Sequence, residues 1–428
     1  MKVEERKFDT ELAVIGTGIA GVAASIFALK KGLTVALSGN TGALAYTTGY
    51  LDLFGSLSGQ DLAYVDDPWK AVQDLADYEP NHPLTRVSID DIRSSFEEFT
   101  AFISACGIAY TRPGDKNLEV LSPVGTVKRT LCVPATMKAG TEAYGDRSRC
   151  LIVDFKGLRG FSGAQIVANI GSDWPGLRHA RIEVPGLSQT EIYPEVLART
   201  LEVPQNRESF ATAVKEVMGD EQVIGMPAVF GMHRPDEVMS SLEELIGVPL
   251  FEIPTMPPSV PGIRFREMVE QVFPQKGINL IPQQKVKSVE FNDDSATLLL
   301  ADNYGPIRIE AKTVILATGR FISGGLEAHM DTVSETLLDL PVFQPVSRDQ
   351  WYHQQYMGKT GHAIHRAGLQ VDDAFRPLDS EKKVVNARLF AAGILLAHQD
   401  WIRSRSGAGI AIATAYKAVE AAADFLSK

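Results

Sequence analysis

The feature that most constrains this chain is a glycine-rich turn between an apolar strand and an apolar helix. Residues 16–21 read Gly-Thr-Gly-Ile-Ala-Gly, which is the pattern Gly-x-Gly-x-x-Gly, and residues 11–15 before them are mostly apolar. Residues 20–31 have the composition of a buried helix, and residues 33–37 that of a second buried strand. A strand, a helix and a second strand within about thirty residues predict the opening βαβ unit of a Rossmann-type domain.

Each glycine of this turn has a steric role. Gly16 allows the tight turn, Gly18 lets a phosphate approach the backbone, and Gly21 lets the helix pack closely on the strand. The helix that follows presents unpaired N–H groups and the positive end of its dipole to that phosphate. The turn therefore predicts nucleotide or flavin binding, and not a plain glycine-rich loop, through Gly16, Gly18, Ile19, Ala20 and Gly21.

The end of the second predicted strand departs from the usual dinucleotide pattern. That place normally carries Asp or Glu, whose carboxylate binds the ribose hydroxyls, but the sequence here reads Leu37-Ser38-Gly39-Asn40. Ser38 or Asn40 can make one neutral hydrogen bond. We therefore expect Ser38 and Gly39 at the cofactor, with the adenosine half of a dinucleotide held less firmly than usual.

A later strand favours flavin over nicotinamide. Residues 313–319 form a predicted buried strand that ends in Ala317, Thr318 and Gly319. In flavoproteins with two dinucleotide-binding motifs, an Ala-Thr-Gly turn of this kind runs past the cofactor. The alternative is a core strand with an ordinary glycine turn.

The C-terminal part of the chain carries a second flavin-like pattern. Residues 389–393 form a predicted strand that ends at Gly393, and a glycine-rich helix start follows at Gly407, Ala408, Gly409 and Ile410. The N-terminus of such a helix can face flavin N1 and the C2 carbonyl, where it favours the negative charge of the reduced ring. Gly393 is followed by Ile394 instead of the acidic residue that would hold a ribityl chain.

The distribution of predicted elements divides the chain into three segments. Residues 1–59 and 255–428 are predicted to form the two parts of an α/β flavin-binding domain, and residues 60–254 an inserted substrate or cap domain. The middle segment has no comparable repeat of strands and helices, so we expect an α+β fold there. In the last segment the sequence predicts a helix at 264–272, strands at 278–281, 285–291, 296–300, 307–311, 313–317 and 389–392, and a helix at 409–426.

Composition excludes several classes of protein. The 428 residues carry 42 Lys and Arg against 53 Asp and Glu, and the resulting charge of −11 argues against nucleic acid as a partner. Residues 12–29 lack charge over a length close to a membrane span, but glycines interrupt them, so we expect a buried strand and helix and no direct span. Three scattered cysteines argue against an iron–sulfur cluster, another metal site or a disulfide framework, and the cytoplasm is the expected compartment.

Several longer motifs resemble one family of flavoproteins. The chain resembles the B subunits of anaerobic glycerol-3-phosphate dehydrogenases over nearly its whole length. Beside the glycine turn, the resemblance rests on residues 47–53, 82–83, 123–126, 257–264, 323–326 and 376–377, of which Pro-Pro-Ser-Val at 257–260 and Ser-Gly-Gly-Leu at 323–326 are the most specific. Both missing carboxylates are also features of this family.

The resemblance implies a particular function and assembly. It implies a flavin subunit, usually FMN-linked with FAD as the alternative, that pairs with a larger FAD-bearing catalytic subunit. A third, iron–sulfur subunit would anchor the pair at the inner face of the cytoplasmic membrane. Glycerol 3-phosphate would be oxidised to dihydroxyacetone phosphate in glycerol metabolism, and anaerobic respiration would take the electrons through a quinone.

Several polar residues are weaker candidates for the site. Thr47, Thr48 and Gly49 follow the second strand, where related flavoproteins bring a loop under the flavin ring, although an ordinary polar turn is an equal alternative. Arg403 and Arg405, before the last helix, could bind the flavin or a substrate phosphate, or form a solvated pair. His82, in a family-like His-Pro pair, and His398, after Gly393, are catalytic candidates, although a single histidine is more often structural. A basic cluster could bind phosphate or a partner, or form a solvated face: Arg147, Arg149, Lys156 and Arg159.

Two other functions stay open at the level of sequence. One is a stand-alone FAD dehydrogenase or reductase of the fumarate reductase type, which would require a ribose carboxylate and an evident Arg and His set. The other is a non-catalytic electron-relay or scaffold subunit, whose flavin only forwards electrons or has been lost.

Overall fold

A computed structural model describes residues 5–57, 63–187, 190–356, 358 and 360–428. The described strands are β1 (Arg6–Ile15), β2 (Val35–Gly39), β3 (Leu118–Leu121), β4 (Val127–Thr130), β5 (Cys150–Phe155), β6 (Leu177–Ile182), β7 (Val223–Pro227), β8 (Leu250–Ile253), β9 (Asn279–Pro282), β10 (Ser288–Phe291), β11 (Ala296–Asp302), β12 (Gly305–Leu316), β13 (Leu326–Ala328), β14 (Val333–Glu335), β15 (Val342–Phe343), β16 (Gly368–Leu369) and β17 (Leu389–Ala391).

The helices between these strands range from one to more than five turns. They are α1 (Ile19–Lys30), α2 (Pro68–Tyr78), α3 (Ile89–Ala105), α4 (Lys138–Asp146), α5 (Gly163–Ile170), α6 (Pro194–Leu201), α7 (Pro204–Val217), α8 (Pro235–Ile246), α9 (Val260–Gln275), α10 (Trp401–Ser404) and α11 (Gly407–Leu426). Short 3-10 helices occur at Thr41–Tyr46, Pro83–Arg86, Ala135–Met137, Arg348–Gln350, Ala363–Arg366 and Gly393–Leu395.

The chain divides into two compact units. The first consists of Met1–Ala43, Asp52–Phe99 and Val269–Lys428, and the second of Leu44–Leu51 and Thr100–Met268. Residues 63–99 thus belong to the first unit, and residues 44–51 and 255–268 to the second, whereas the sequence prediction places each of these stretches in the other domain. The boundary expected between residues 59 and 60 lies outside the described residues.

The first unit is built on a twisted sheet of the Rossmann type. Its strand order is β10-β11-β12-β1-β2-β9, and β17 also pairs with β12. The strands β17, β12, β1, β2 and β9 are parallel to one another, while β11 pairs antiparallel with both β12 and β10. Helices α1 and α11 pack on each other and on these strands, and the sequence prediction of an α/β flavin-binding fold is confirmed.

Strand β12 differs from its sequence-based prediction. Two strands are expected at residues 307–311 and 313–317, but β12 runs without a break from Gly305 to Leu316. Its first half pairs with β11 and alternates between buried and more exposed side chains, whereas its second half also pairs with β17 and is buried throughout. The pattern of buried and exposed side chains changes at the exposed Lys312, and in the sequence this change resembles the end of a strand.

The second unit has its own parallel sheet. The strand order is β6-β5-β7-β8, all pairs are parallel, and α5 to α8 connect the strands. The expectation that this stretch lacks a repeat of strands and helices is therefore wrong. The sequence pattern of these strands is weak, because β6 lies at the sheet edge with exposed charged side chains and because β7 and β8 are short. An antiparallel hairpin of β3 and β4 adds the α+β character that was expected.

In the described part of the chain, no helix combines the length and the apolar composition that crossing a lipid bilayer requires.

Candidate functional site

Three neighbouring parallel strands of the first unit bring the predicted cofactor motifs to one edge of the sheet. The glycine turn follows β1, Ser38 and Gly39 end β2, and residues 317–319 follow β12. Hydrogen bonds join these ends, because Gly16 N donates to Ser38 O at 2.7 Å and Ala317 N donates to Ile15 O at 2.8 Å. The carboxyl ends of parallel strands are where open α/β sheets bind their ligands.

The glycines of this edge are required by close backbone contacts. A Cβ on Gly16, whose φ is +120°, would lie 2.1 Å from Ala317 O, and a Cβ on Gly21 would lie 1.6 Å from Gly16 O. At Gly39 a Cβ would lie 2.9 Å from Thr17 N. These close contacts hold the three strand ends together.

Gly18 differs from the other glycines because its surroundings are open. A Cβ there would have no atom within 4 Å, and Gly18 is the N-cap of α1 without any side-chain cap. The first N–H groups of α1, at Ile19 and Ala20, lie next to this open position, at the positive end of the helix dipole. This arrangement fits a phosphate group, as the sequence predicts.

Buried hydroxyl groups without partners line the same edge. Thr17 Oγ1, Ser38 Oγ and Thr318 Oγ1 are inaccessible to solvent and have no hydrogen-bond partner among the described residues. Each follows or ends one of the three adjacent strands. Buried polar groups normally have hydrogen-bond partners. Three buried hydroxyls without partners in one place therefore indicate a ligand with several oxygen or nitrogen atoms. The set fits a phosphate-bearing flavin cofactor.

The second flavin-like pattern, at residues 389–393 and 407–410, lies in the same unit, but its glycines pack against other protein atoms. Gly393 N donates to Thr414 Oγ1 at 2.8 Å, and a Cβ on Gly393 would lie 2.7 Å from the Ala20 side chain. Gly409 N donates to Asp52 O at 2.7 Å, and a Cβ there would lie 2.6 Å from Leu53 O. Gly409 is thus explained by close helix packing.

The other residues of this pattern are also buried or packed against protein side chains. A Cβ on Gly407 would lie 3.1 Å from the Trp401 ring, and both Ala408 and Ile410 are buried. The contact of Gly407 or Gly409 with a flavin ring stays a prediction. A valine at Gly409 would have to displace the Leu53 backbone, so this substitution would disturb the packing at the start of α11.

The loop of Thr47, Thr48 and Gly49 belongs to the second unit. Thr47 Oγ1 accepts from Gly49 N and Thr48 Oγ1 accepts from Tyr50 N, so both hydroxyls stabilise their own turn. Ser259 Oγ donates to Thr47 O at 2.6 Å, which joins two segments that carry the family resemblance. These contacts support the interpretation as a polar turn, while a role at the cofactor stays untested.

Arg403 lies within the short helix α10 of the first unit, and Arg405 directly follows that helix. Arg405 has a left-handed φ of +49°, and its guanidinium lies 5.3 Å from the centre of the Tyr64 ring. Arg403 N donates to Asp400 Oδ1, and its side chain passes close to Gly361. Neither arginine forms a salt bridge within the described residues, so both guanidinium groups keep donors for a ligand.

His82 and His398, distant in sequence, come together in the first unit beside Arg366. Burial, followed by the positive charges of Arg366 and His398, lowers the pKa of His82 to about 3. Burial, followed by Arg86 and Arg366, also lowers the pKa of His398. The two histidines thus belong to one cluster of basic groups, which sequence reasoning did not predict.

Arg320 is a buried residue that sequence reasoning missed. It directly follows Gly319, and its guanidinium donates to the carbonyl oxygens of His365 and Ala367. Burial lowers its pKa to about 10, although Asp400 opposes this shift. Arg320 therefore fixes the turn at the end of β12 against residues 365–367. A signal was present in the sequence, since an arginine directly after a buried strand and turn is unusual.

The basic cluster of the second unit is neutralised by carboxylates. Arg149 pairs with Asp220, Lys156 with Glu183 and Arg159 with Glu191, and most of these side chains are highly exposed. Arg147 lies over the ring of Tyr144. The solvated face that the sequence left open as an alternative therefore explains these residues.

Comparisons with known proteins agree with this geometry. Residues 11–410 match the family described as FAD binding domain. The B subunit of anaerobic glycerol-3-phosphate dehydrogenase from Vibrio cholerae serotype O1 is 30% identical over 423 residues, covering 96% of this chain and 95% of that protein. The protein of the same name from Vibrio vulnificus is 28% identical over 430 residues, covering 96% of each.

A similarity to solved structures was also found. The crystal structure of 3-ketosteroid Δ1-dehydrogenase from Sterolibacterium denitrificans aligns with a TM-score of 0.44 and 11% identity, covering 97% of this chain and 100% of that chain.

Proposed function

Because the chain belongs to the FAD-binding flavoprotein family and to the family of anaerobic glycerol-3-phosphate dehydrogenase B subunits, we propose that it is the flavin-carrying subunit of a respiratory glycerol-3-phosphate dehydrogenase. In the proposed reaction, sn-glycerol 3-phosphate loses two electrons and two protons and becomes dihydroxyacetone phosphate. The electrons pass through partner subunits to a quinone. The chain is a subunit of a flavin-dependent oxidoreductase, and the substrate, the acceptor and the partners are the proposed part.

The observation that carries the proposal is the set of orphan hydroxyls at the strand ends. Thr17 and Ser38 would bind the cofactor phosphate region together with the N–H groups that open α1, and Thr318 would bind from the end of β12. When bound, a flavin supplies the two-electron acceptor that alcohol oxidation requires. Arg320 would keep the Thr318 turn in place, since it ties that turn to residues 365–367.

The flavin would be FMN by family resemblance and FAD by the name of the matching domain. Ser38 stands where a ribose carboxylate would bind an adenosine, which favours FMN. Chromatography of the flavin released by heat distinguishes the two cofactors. FAD in stoichiometric amount would show that the carboxylate is dispensable here.

Partner subunits are part of the proposal because three scattered cysteines are too few for an iron–sulfur cluster, which normally takes four thiolates. Burial raises the pKa of the Cys132 and Cys150 thiols, which makes both poor metal ligands. We propose a larger FAD-bearing subunit and an iron–sulfur subunit, assembled at the inner face of the cytoplasmic membrane. Exposed apolar side chains between residues 321 and 356 favour this stretch as the docking surface: Phe321, Ile322, Met330, Phe343, Val346, Tyr352 and Tyr356.

The test begins with the purified full chain. We expect a yellow protein with one flavin per chain, and co-purification with two further subunits under mild detergent, with iron in the assembly and none in this chain. Addition of glycerol 3-phosphate to the assembly should bleach its flavin absorbance, whereas glycerol should not. A colourless chain, or an isolated chain that holds stoichiometric iron and reduces quinone unaided, would contradict the proposal.

The same experiment separates a substrate-oxidising subunit from an electron-relay subunit. If the isolated chain is bleached by glycerol 3-phosphate, the substrate site lies in this chain. If bleaching requires the partners, this chain acts as the relay. A Gly18→Asp variant in either preparation is the control, because it lacks the flavin whose absorbance is measured.

A further inference from the structure

A buried histidine of the first unit has one ring nitrogen without a partner. His82 is 1% exposed, and its Nδ1 accepts a hydrogen bond from Leu84 N at 3.2 Å. Because Nδ1 accepts, the ring proton lies on Nε2, and that N–H has no partner among the described residues. A buried donor without an acceptor is costly, so it indicates a bound group that accepts a hydrogen bond.

Backbone contacts bring three separate segments to this ring. His82 N donates to Glu79 O at 2.8 Å, and Arg366 Nη2 donates to the Glu79 carboxylate at 2.6 Å. His398 N donates to Arg366 O at 3.0 Å. The turn before the 3-10 helix Pro83–Arg86, the end of the 3-10 helix Ala363–Arg366 and the loop after Gly393–Leu395 therefore meet at one place.

Several side chains of this place present hydrogen-bond donors, beside the rings of Phe343, 4.1 Å from His398, and Phe54, 6.4 Å from His82. Gln370 Nε2 lies 2.9 Å from His398 Nε2, and since an amide nitrogen can only donate, the proton of His398 lies on Nδ1. Arg366 donates to Glu79 through Nη2, and Arg86 donates to Asp373 through Nη1. The other guanidinium N–H groups of both arginines have no acceptor among the described residues. We name His82, Arg86, Arg366 and His398 the donor cluster.

The charge of the donor cluster is balanced, which bears on its affinity. Glu79 and Asp373 each neutralise one arginine, and Asp373 is 92% exposed. Both histidines are neutral near pH 7, because burial and the neighbouring arginines lower their pKa values. Binding would therefore depend on directed N–H groups more than on net charge, and moderate affinity, on the order of 1 mM, is expected.

We propose that the donor cluster is a binding site for a small oxyanion, of the size of sulfate or the phosphate group of a phosphomonoester. Such an ion offers acceptors in several directions, which matches N–H donors that several separate chain segments supply at the place where they meet. The site follows from the donors alone and holds whether or not the flavin oxidises glycerol 3-phosphate. A chain that does not bind the oxyanion would therefore contradict this site and leave the proposed function unaffected.

The test is calorimetric titration of the full chain with sodium sulfate, against sodium chloride at equal ionic strength. We expect saturable binding of one sulfate, weakened about tenfold in Arg366→Gln. His82→Asn should weaken it similarly, because asparagine keeps an acceptor for Leu84 N and lacks the Nε2 donor. The matched control is Arg376→Gln, since Arg376 pairs with Asp372 at similar exposure outside the donor cluster, and it should bind like the parent.

A second readout distinguishes binding at this cluster from a general effect of folding. Sulfate next to His398 should raise the proton affinity of its ring, so binding near pH 6 should take up protons, measured in buffers of different ionisation enthalpy. His398→Asn should abolish the uptake, and asparagine tolerates the left-handed φ of +64° at this position. Equal sulfate affinity in the parent, Arg366→Gln and His82→Asn, or no saturable binding at all, would overturn the proposal.

Discussion

Gly21 lies so close to Gly16 that no side chain fits at position 21: a Cβ on Gly21 would lie 1.6 Å from the carbonyl oxygen of Gly16. The contact locks the first turn of α1 against the end of β1. Protein contacts alone therefore hold the backbone of the turn, and they place the N–H groups that open α1 at the end of β1. The glycine pattern in the sequence thus corresponds to a close contact between strand and helix.

We predict that Gly18→Asp abolishes flavin binding while the chain stays folded. Gly18 has open space around it and an extended backbone that other residues tolerate, and aspartate is a good N-cap for α1. Its carboxylate would occupy and repel the phosphate position. Flavin absorbance per chain and circular dichroism measure the two effects. Gly18→Asn, of the same size and without charge, should retain more flavin, and equal flavin content in Gly18→Asp and the parent would contradict the prediction.

The sequence predicted the elements whose signal is local. The turn at Gly16, the helix after it and the Ala-Thr-Gly end of β12 follow from glycine positions and apolar runs, because neighbouring residues alone determine them. A strand at 151–155 was predicted and is β5, but the repeat of strands and helices around it was missed, since the edge strand β6 carries the polar side chains of a solvated face. The donor cluster was also missed as a group. His82, Arg366 and His398 meet only through tertiary contacts, which no spacing along the chain reveals.

We predict that Gly409→Ala destabilises the protein, by about 3 kcal/mol, before it affects any cofactor. An added Cβ would lie 2.6 Å from Leu53 O and 2.8 Å from Leu53 Cα, and backbone atoms cannot move aside without cost. Urea unfolding of the two proteins measures the difference. The control is Gly145→Ala in α4, where a Cβ meets nothing within 4 Å and should stabilise slightly. If Gly409→Ala lost flavin while its stability stayed unchanged, the prediction would be contradicted and Gly409 would have to contact the cofactor.

We predict that Glu252→Gln lowers the stability of the second unit by about 3 to 5 kcal/mol. Glu252 accepts two hydrogen bonds from Arg264, at 2.7 Å each, and both side chains are almost completely buried. Burial alone would raise the pKa of Glu252, but Arg264 and the donors around it lower it, so the pair is ionised. Glutamine leaves the arginine charge uncompensated.

Chemical unfolding followed by tryptophan fluorescence checks this prediction. The double variant Glu252→Gln, Arg264→Met removes both charges and should recover much of the loss. Glu183→Gln, which breaks the exposed pair with Lys156, is the matched control and should have no measurable effect. If Glu252→Gln unfolds at the same denaturant concentration as the parent, the pair does not stabilise the second unit.

The last prediction concerns the pH dependence that His82 imposes on folding. Its pKa is lowered from 6.5 to about 3, by burial first and then by Arg366 and His398. Between these values the unfolded chain binds a proton that the folded chain does not, so stability is complete above pH 6.5 and falls as pH decreases toward 3. From pH 7 to pH 5 this one group should cost about 2 kcal/mol. His82→Asn, measured by urea unfolding at both pH values, should lose correspondingly less stability than the parent, and parallel losses in the two proteins would show that His82 is not held neutral in the fold.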